Sequence, residues 1–177
     1  SEDDQPGADG PANIAAAVTV ARTAAVRAAS GTYVCFNDEL HAARDVVKEH
    51  TWQTDAFASP GKGPVGALTP AGFEQYRELG SHSRTLPLRG ALSTTVDVVQ
   101  TGLGVSAAPL ERAAAASDGV VLVATGLGNA PEPVADAVGA VTETGVPVVV
   151  VSRCHVGGVA PVYGRGGGRT LVEQGAH

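Results

Sequence analysis

Apolar positions fall in short runs bounded by turn residues, with one longer Ala-rich stretch near the start. Thr32-Tyr-Val-Cys-Phe36 combines β-branched, aromatic and thiol side chains, which predicts a short buried strand. It stops at Asn37, Asp38 and Glu39. That places polar groups at the carboxyl end of a strand, where open α/β sheets keep their ligand crevices. Upstream, Gly10-Pro11 opens a helix, because proline fits the first helical position and Asp9 or Gly10 can cap it. Its body runs from Ala12 to Ala29 with Ile14, Val18, Ala21, Ala25 and Ala28 along one side, and Ser30-Gly31 ends it. A helix feeding a strand is the step from which doubly wound sheets are made.

Further along, Val65–Leu68 and Phe73–Tyr76 flank Thr69-Pro-Ala-Gly72, which predicts a hairpin. Periodicity is lost in Gly80-Ser-His-Ser-Arg-Thr-Leu-Pro-Leu-Arg-Gly90, which reads as a connection between domains. Strands then follow at Val96–Thr101, Val120–Thr125 and Val148–Val151, separated by helices at Leu110–Ala116 and Pro133–Glu143. This alternation predicts a second, smaller parallel α/β unit with right-handed crossovers. The fold class is therefore α/β: residues 1–78 form the remainder of a larger parallel α/β domain, 79–92 a linker, and 93–177 a flavodoxin- or Rossmann-like domain.

Composition narrows the function classes. Across 177 residues the chain is 44% hydrophobic but only 4% aromatic, so the core must be built from Ala, Val and Leu. A net charge of -6, from 12 basic and 18 acidic residues, argues against nucleic-acid and anionic-membrane partners. No run of apolar residues is long enough to span a bilayer. The opening Ser-Glu-Asp-Asp-Gln-Pro reads as a loop, and the expectation is a chain cut from something longer, cytoplasmic rather than secreted. Cys35 and Cys154 sit in or just after apolar strands and read as buried free thiols.

Candidate chemistry is sparse. Gly102-Leu-Gly104-Val-Ser-Ala107 follows a strand in the manner of a dinucleotide fingerprint, but Thr125-Gly126 stand where the ribose-binding acid belongs. A tight strand-to-helix turn is the better reading, and no cofactor is expected. The histidines at 41, 50, 82, 155 and 177 lack the helical spacing of a zinc site, so no metal is expected. Gly164-Arg-Gly-Gly-Gly168 looks like a phosphate cradle but lacks the strand-helix frame, which favours a flexible loop. Lys48, beside Val46 and Val47, sits in a run that favours burial. Its ammonium must snorkel to water or be held inside by partners.

The string Phe36-Asn-Asp-Glu-Leu-His-Ala-Ala-Arg-Asp-Val-Val-Lys48, with Gly7–Ile14 before it and Asp55–Gly66 after it, resembles the bacterial L-asparaginase family. Ser152–Cys154 and Ala160–Gly164 are similar to the form that family takes in actinobacteria. The resemblance implies hydrolysis of the asparagine side-chain amide to aspartate and ammonia, with L-glutamine as a second candidate substrate. It implies a threonine nucleophile in a T-G-G-T setting and a Thr-Asp pair in an H-G-T-D-T segment, neither present here. Lys48 matches the family's catalytic lysine, as proton acceptor or as charged organiser of the Thr-Asp pair. Gly126-Leu-Gly128-Asn129 matches a G-x-G-N segment that reaches a neighbouring subunit's site, which makes Asn129 a candidate substrate-binding residue.

Departures accompany these matches. Ala130-Pro131 replace a second asparagine carried by some members, and Ala160–Gly168 offer no counterpart to a glutamate that others supply. The closing segment is shortened at Gln174–His177. The resemblance thus implies the carboxy-terminal portion of an asparaginase, a homodimer or homotetramer when whole and inactive as this chain alone. Two alternatives stand beside it. One is a non-catalytic α/β binding module of the same fold, and the other is an asparaginase-like subunit of a tRNA-dependent amidotransferase.

Overall fold

The computed structural model describes residues 7–29, 31–80, 87 and 90–177. It divides into two compact units, Ser1–Pro87 and Leu88–His177. Ser30, and residues 81–86, 88 and 89 of the predicted linker, lie outside the described residues.

In the first unit, helix α1 spans Gly10–Ala21 with Pro11 in its first turn. The single helix expected to Ala29 is two: α2 covers only Ala24–Ala28. Thr23 makes the break, with its backbone extended at φ −67° and ψ 147° and its hydroxyl donating to Val20 O at 2.8 Å. The buried side of α1 is Ala16 and Val20, whereas Ile14 and Val18 are 67% and 54% exposed. The larger stripe read from the sequence faces away from the sheet.

Strand β1, Tyr33–Phe36, does not enter a crossover. It turns at Asn37 and Asp38, both at positive φ, and returns antiparallel as β2, Glu39–Ala42, with Phe36 opposite Glu39. Asn and Asp tolerate that conformation better than other non-glycine residues, which suits them to a two-residue hairpin. The polar trio expected at a ligand crevice is therefore a hairpin turn and the first residue of the next strand. Asn13 Oδ1 accepts from the Asn37 N–H at 2.9 Å and ties the turn to α1.

Strands β3, Val47–Lys48, and β4, Phe57–Ala58, form a separate antiparallel pair. The hairpin expected at Thr69–Gly72 is present, joining β5, Gly66–Thr69, to β6, Gly72–Gln75. The four longer strands make one antiparallel sheet in the order β1-β2-β5-β6. Val20, Leu40 and Val65 form its core, with Tyr33, Cys35 and Phe73 packed against them. Gly66 is required here, since a Cβ would strike the Phe73 ring and the Glu74 carbonyl.

The second unit carries the parallel sheet that the α/β class demands. Strands β7, Val96–Gln100, β8, Gly119–Ala124, and β9, Val148–Ser152, lie parallel in that order. Helices α3, Ala108–Ala116, and α4, Glu132–Glu143, are the crossovers, and α5, Gly168–Glu173, follows β9. Leu110, Leu122, Val134, Val138, Val148 and Leu171 fill the core. On the opposite pleat Val98, Val121 and Val149 share a row. Val98 is 68% and Val149 43% exposed, unusual for parallel strands, whose two faces are ordinarily covered. The chain end adds to β9: His177 N–H donates to Val148 O at 2.9 Å, and Val150 N–H to His177 O at 2.8 Å.

Candidate functional site

Lys48 lies opposite Phe57 in the β3–β4 pair, and it is exposed while Val46 and Val47 are half-buried. Its Nζ stands 5.5 Å from the Phe57 ring centre, and Phe57 in turn packs on Phe36 with centroids 4.8 Å apart. The ammonium has thus reached the surface and rests over an aromatic face, a contact of about 0.5–1 kcal/mol at an exposed position.

Three residues before Lys48, a carboxylate organises the loops around it. Asp45 has a side chain only 5% exposed, and it accepts from Lys62 Nζ at 2.6 Å and from the Arg77 guanidinium at 3.1 Å. Arg77 also donates to Gly63 O and Pro64 O. These bonds knit the Lys48 segment to the 59–64 loop and the end of β6. They border a cleft of about 530 Å³, lined by Tyr33, Arg44, Asp45, Lys62 and Arg77 among others. The Lys62 hydrogen bond, then that from Arg77, with both positive charges, holds the Asp45 carboxyl below its usual range despite partial burial.

A depressed carboxyl contributes stability that is present above the unfolded value of about 3.9 and lost as pH falls through the lower folded value. We therefore expect the wild-type melting temperature to drop on acidification in that window, with a flatter acid limb in Asp45→Asn. Asp45→Ala should cost about 1–3 kcal/mol near neutral pH, discounted because Lys62 and Arg77 are partly solvated. Thermal melts across pH check both outcomes.

Neighbouring β2 holds a second polar set that sequence reasoning passed over. His41, 1% exposed, has Nδ1 2.9 Å from Ser59 Oγ. Its Nε2 is 3.3 Å from Glu39 Oε2, within ion-pair range but without hydrogen-bond geometry. Serine, histidine and acid are the members of a nucleophilic relay. However, Ser59 is 5% exposed and lines neither the cleft beside Asp45 nor the apolar cavity of the second unit. A carbonyl carbon has no approach to its oxygen, and the pair closes β2 onto the loop after β4.

In the second unit, Asn129 ends a turn at the carboxyl edge of β8. Thr125 and Asn129 form an isolated bridge: Thr125 N–H donates to Asn129 O at 2.9 Å and Asn129 N–H to Thr125 O at 2.8 Å. Gly126 and Gly128 sit at positive φ, 52° and 100°, a backbone that side chains disfavour. Asn129 Oδ1 is buried without a hydrogen-bond partner among the described residues, as is Thr101 Oγ1 just past β7. An apolar cavity of about 190 Å³ adjoins the turn, lined by Leu127, Gly128, Val150, Val159 and Leu171.

The Gly102–Ala107 segment makes the tight turn expected between β7 and α3, with Val105 N–H bonded to Gly102 O at 3.2 Å. Gly164–Gly168 differs from the flexible loop expected. Gly166, Gly167 and Gly168 are buried, and a Cβ on any of them would strike the backbone carbonyl of Ala130, Tyr163 or Ala160 respectively. The glycines permit close packing that leads into α5. Both cysteines are free, but Cys35 is half-buried and Cys154 exposed, in contrast to the burial that the sequence predicts. Burial first, and then the Asp38 charge, push the Cys35 thiol up.

Family models match both units. The Asparaginase, N-terminal family covers residues 2–79, and the Glutaminase/Asparaginase C-terminal domain family covers residues 95–177. The chain belongs to the asparaginase family. It is 35% identical over 171 residues to a probable L-asparaginase of Deinococcus radiodurans, spanning 95% of this chain and 52% of that protein. Its fold matches the thermostable L-asparaginase from Thermococcus kodakarensis with a TM-score of 0.75 and 25% identity, over 98% of this chain and 52% of the other. A probable cytoplasmic L-asparaginase from Campylobacter jejuni gives 0.80 and 26%, over 96% and 52%. The chain thus spans about half the length of the relatives it matches. Lys48 and Asn129, the two residues singled out from its sequence, fall in different units.

Proposed function

We propose that this chain is the Lys48- and Asn129-bearing part of an L-asparaginase-type amidohydrolase that converts L-asparagine to L-aspartate and ammonia. The observation that carries the reading is the paired match of both asparaginase family models, in order, across the two units. The nucleophile is a threonine on a segment outside these residues, because neither threonine motif of the family occurs in them. Lys48 then activates or organises that threonine from an exposed position, and Asn129 contributes its side-chain amide to substrate binding. The C. jejuni relative favours a cytoplasmic setting.

The whole protein, given L-asparagine, should release aspartate and ammonia in equal amounts, measured by amino-acid chromatography and a coupled ammonia assay. Ammonia without aspartate, or neither product, would contradict the reading.

Assembly forms part of the proposal. If Asn129 serves a neighbour's site, the whole protein is a homodimer or homotetramer, and the exposed valine row of the parallel sheet is one surface that gains by being covered. Sedimentation at micromolar concentration should show the oligomer. A stable monomer with full activity would remove the shared-site idea.

A further inference from the structure

The turn that presents Asn129 contains two left-handed glycines, so its own sequence leaves the backbone loose. Beside the backbone bonds that Thr125 makes with Gly128 and Asn129, four further contacts fix it. Within the turn, Thr125 Oγ1 donates to Asn129 O at 3.0 Å. From outside, Ala160 N–H donates to Leu127 O at 3.0 Å, and the Ala130 N–H just past the turn donates to Gly166 O at 2.8 Å. The fourth comes from the end of the adjacent strand β9, where Ser152 Oγ donates to Gly126 O at 2.6 Å. Ser152 Oγ in turn accepts from Cys154 N–H at 3.1 Å, and Arg153 N–H donates to Ala124 O at 2.9 Å.

Of the three outside contacts, the one from Ser152 alone is made by a side chain. It also bears on a peptide that adjoins a left-handed glycine. Gly126 O belongs to the peptide unit between a left-handed glycine and Leu127, and rotation of that unit would swing its carbonyl out of the turn and release Asn129 behind it. The hydroxyl is used on both sides, as donor to Gly126 O and as acceptor from Cys154 N–H.

We propose that Ser152 is a positioning residue for substrate binding: by pinning Gly126 O it holds the 125–129 turn, and with it the Asn129 amide, in place. The proposal rests on Asn129 being a substrate-binding group.

Two measurements test it with Ser152→Ala and Ser152→Thr. In the 177-residue chain, amide exchange at Gly128 and Asn129, which both donate to Thr125 O, should quicken by roughly 10-fold in Ser152→Ala and recover in Ser152→Thr, with Leu122 unchanged. In the whole active protein, Ser152→Ala should raise KM for asparagine by roughly 10-fold with kcat within about 2-fold, and Ser152→Thr should restore it. Added to Asn129→Ala, Ser152→Ala should cause no further loss.

Unchanged exchange at Gly128 and Asn129 would overturn the proposal, as would a loss that adds to that of Asn129→Ala. A raised KM in Asn129→Ala but not in Ser152→Ala removes Ser152 alone. An unchanged KM in Asn129→Ala removes the substrate-binding premise and the positioning role with it.

Discussion

Lys48→Met, made in the whole active protein, should lower ammonia release from asparagine by about 10²–10⁴-fold, the range of a lost acid-base or organising group. Folding should survive. Methionine keeps the apolar stem beside Phe57, and the only contact of the ammonium among the described residues is the face of that ring. The stability cost is accordingly the weak cation–π term of about 0.5–1 kcal/mol, a few degrees of melting temperature at most. Arg44→Ala is the control. Arg44 is also exposed on the same segment, and its loss should change turnover little. A Lys48→Met protein with near-normal turnover would return Lys48 to an ordinary surface lysine.

The carboxy-terminal unit was legible in the sequence because its signals agree. Valine-rich runs of five or six residues alternate with helices opened by Pro109 and Pro133, and the three strands lie within one or two residues of their expected bounds. The amino-terminal unit was harder. Asn37-Asp38 is a good two-residue turn, yet polar residues at the end of a strand also suit a ligand crevice. Only the pairing of Phe36 with Glu39 separates the two. The α1 stripe misled for a different reason. Ile14 and Val18 repeat at helical spacing, but the sheet is contacted by the smaller face through Ala16 and Val20.

The candidate site shows the same division. Lys48 and Asn129 are candidates through motifs that resemble the family. The Asp45 clasp was missed, although Asp45 stood inside the quoted string, because its partners Lys62 and Arg77 lie 17 and 32 residues away. No local pattern announces such a contact. The buried glycines at 166–168 were read as loose for a related reason. Glycine-rich sequence is ambiguous between a mobile loop and a backbone that must pass close to another, and the Ala130, Tyr163 and Ala160 carbonyls decide for the second.

The second large effect concerns the chain by itself. Purified alone it should hydrolyse neither asparagine nor glutamine. Amide hydrolysis by this route needs an activated hydroxyl at the carbonyl carbon, and on the proposed reading these residues hold Lys48 without the threonines it would serve. The hydroxyl best placed for activation, Ser59 beside His41, is buried and out of reach of a substrate. Strand β1 is also an edge of its sheet, which leaves a row of backbone groups open to pairing, and with it a tendency to associate.

The direct test is an ammonia-release assay on three samples: this chain, a separately made amino-terminal segment carrying the threonine motifs, and their mixture. The account predicts no release above background from either piece and measurable release from the mixture, abolished when the chain carries Lys48→Met. Ammonia release by the lone, well-folded chain, clearly above its own Lys48→Met variant, would contradict it by placing the whole of the chemistry within these 177 residues.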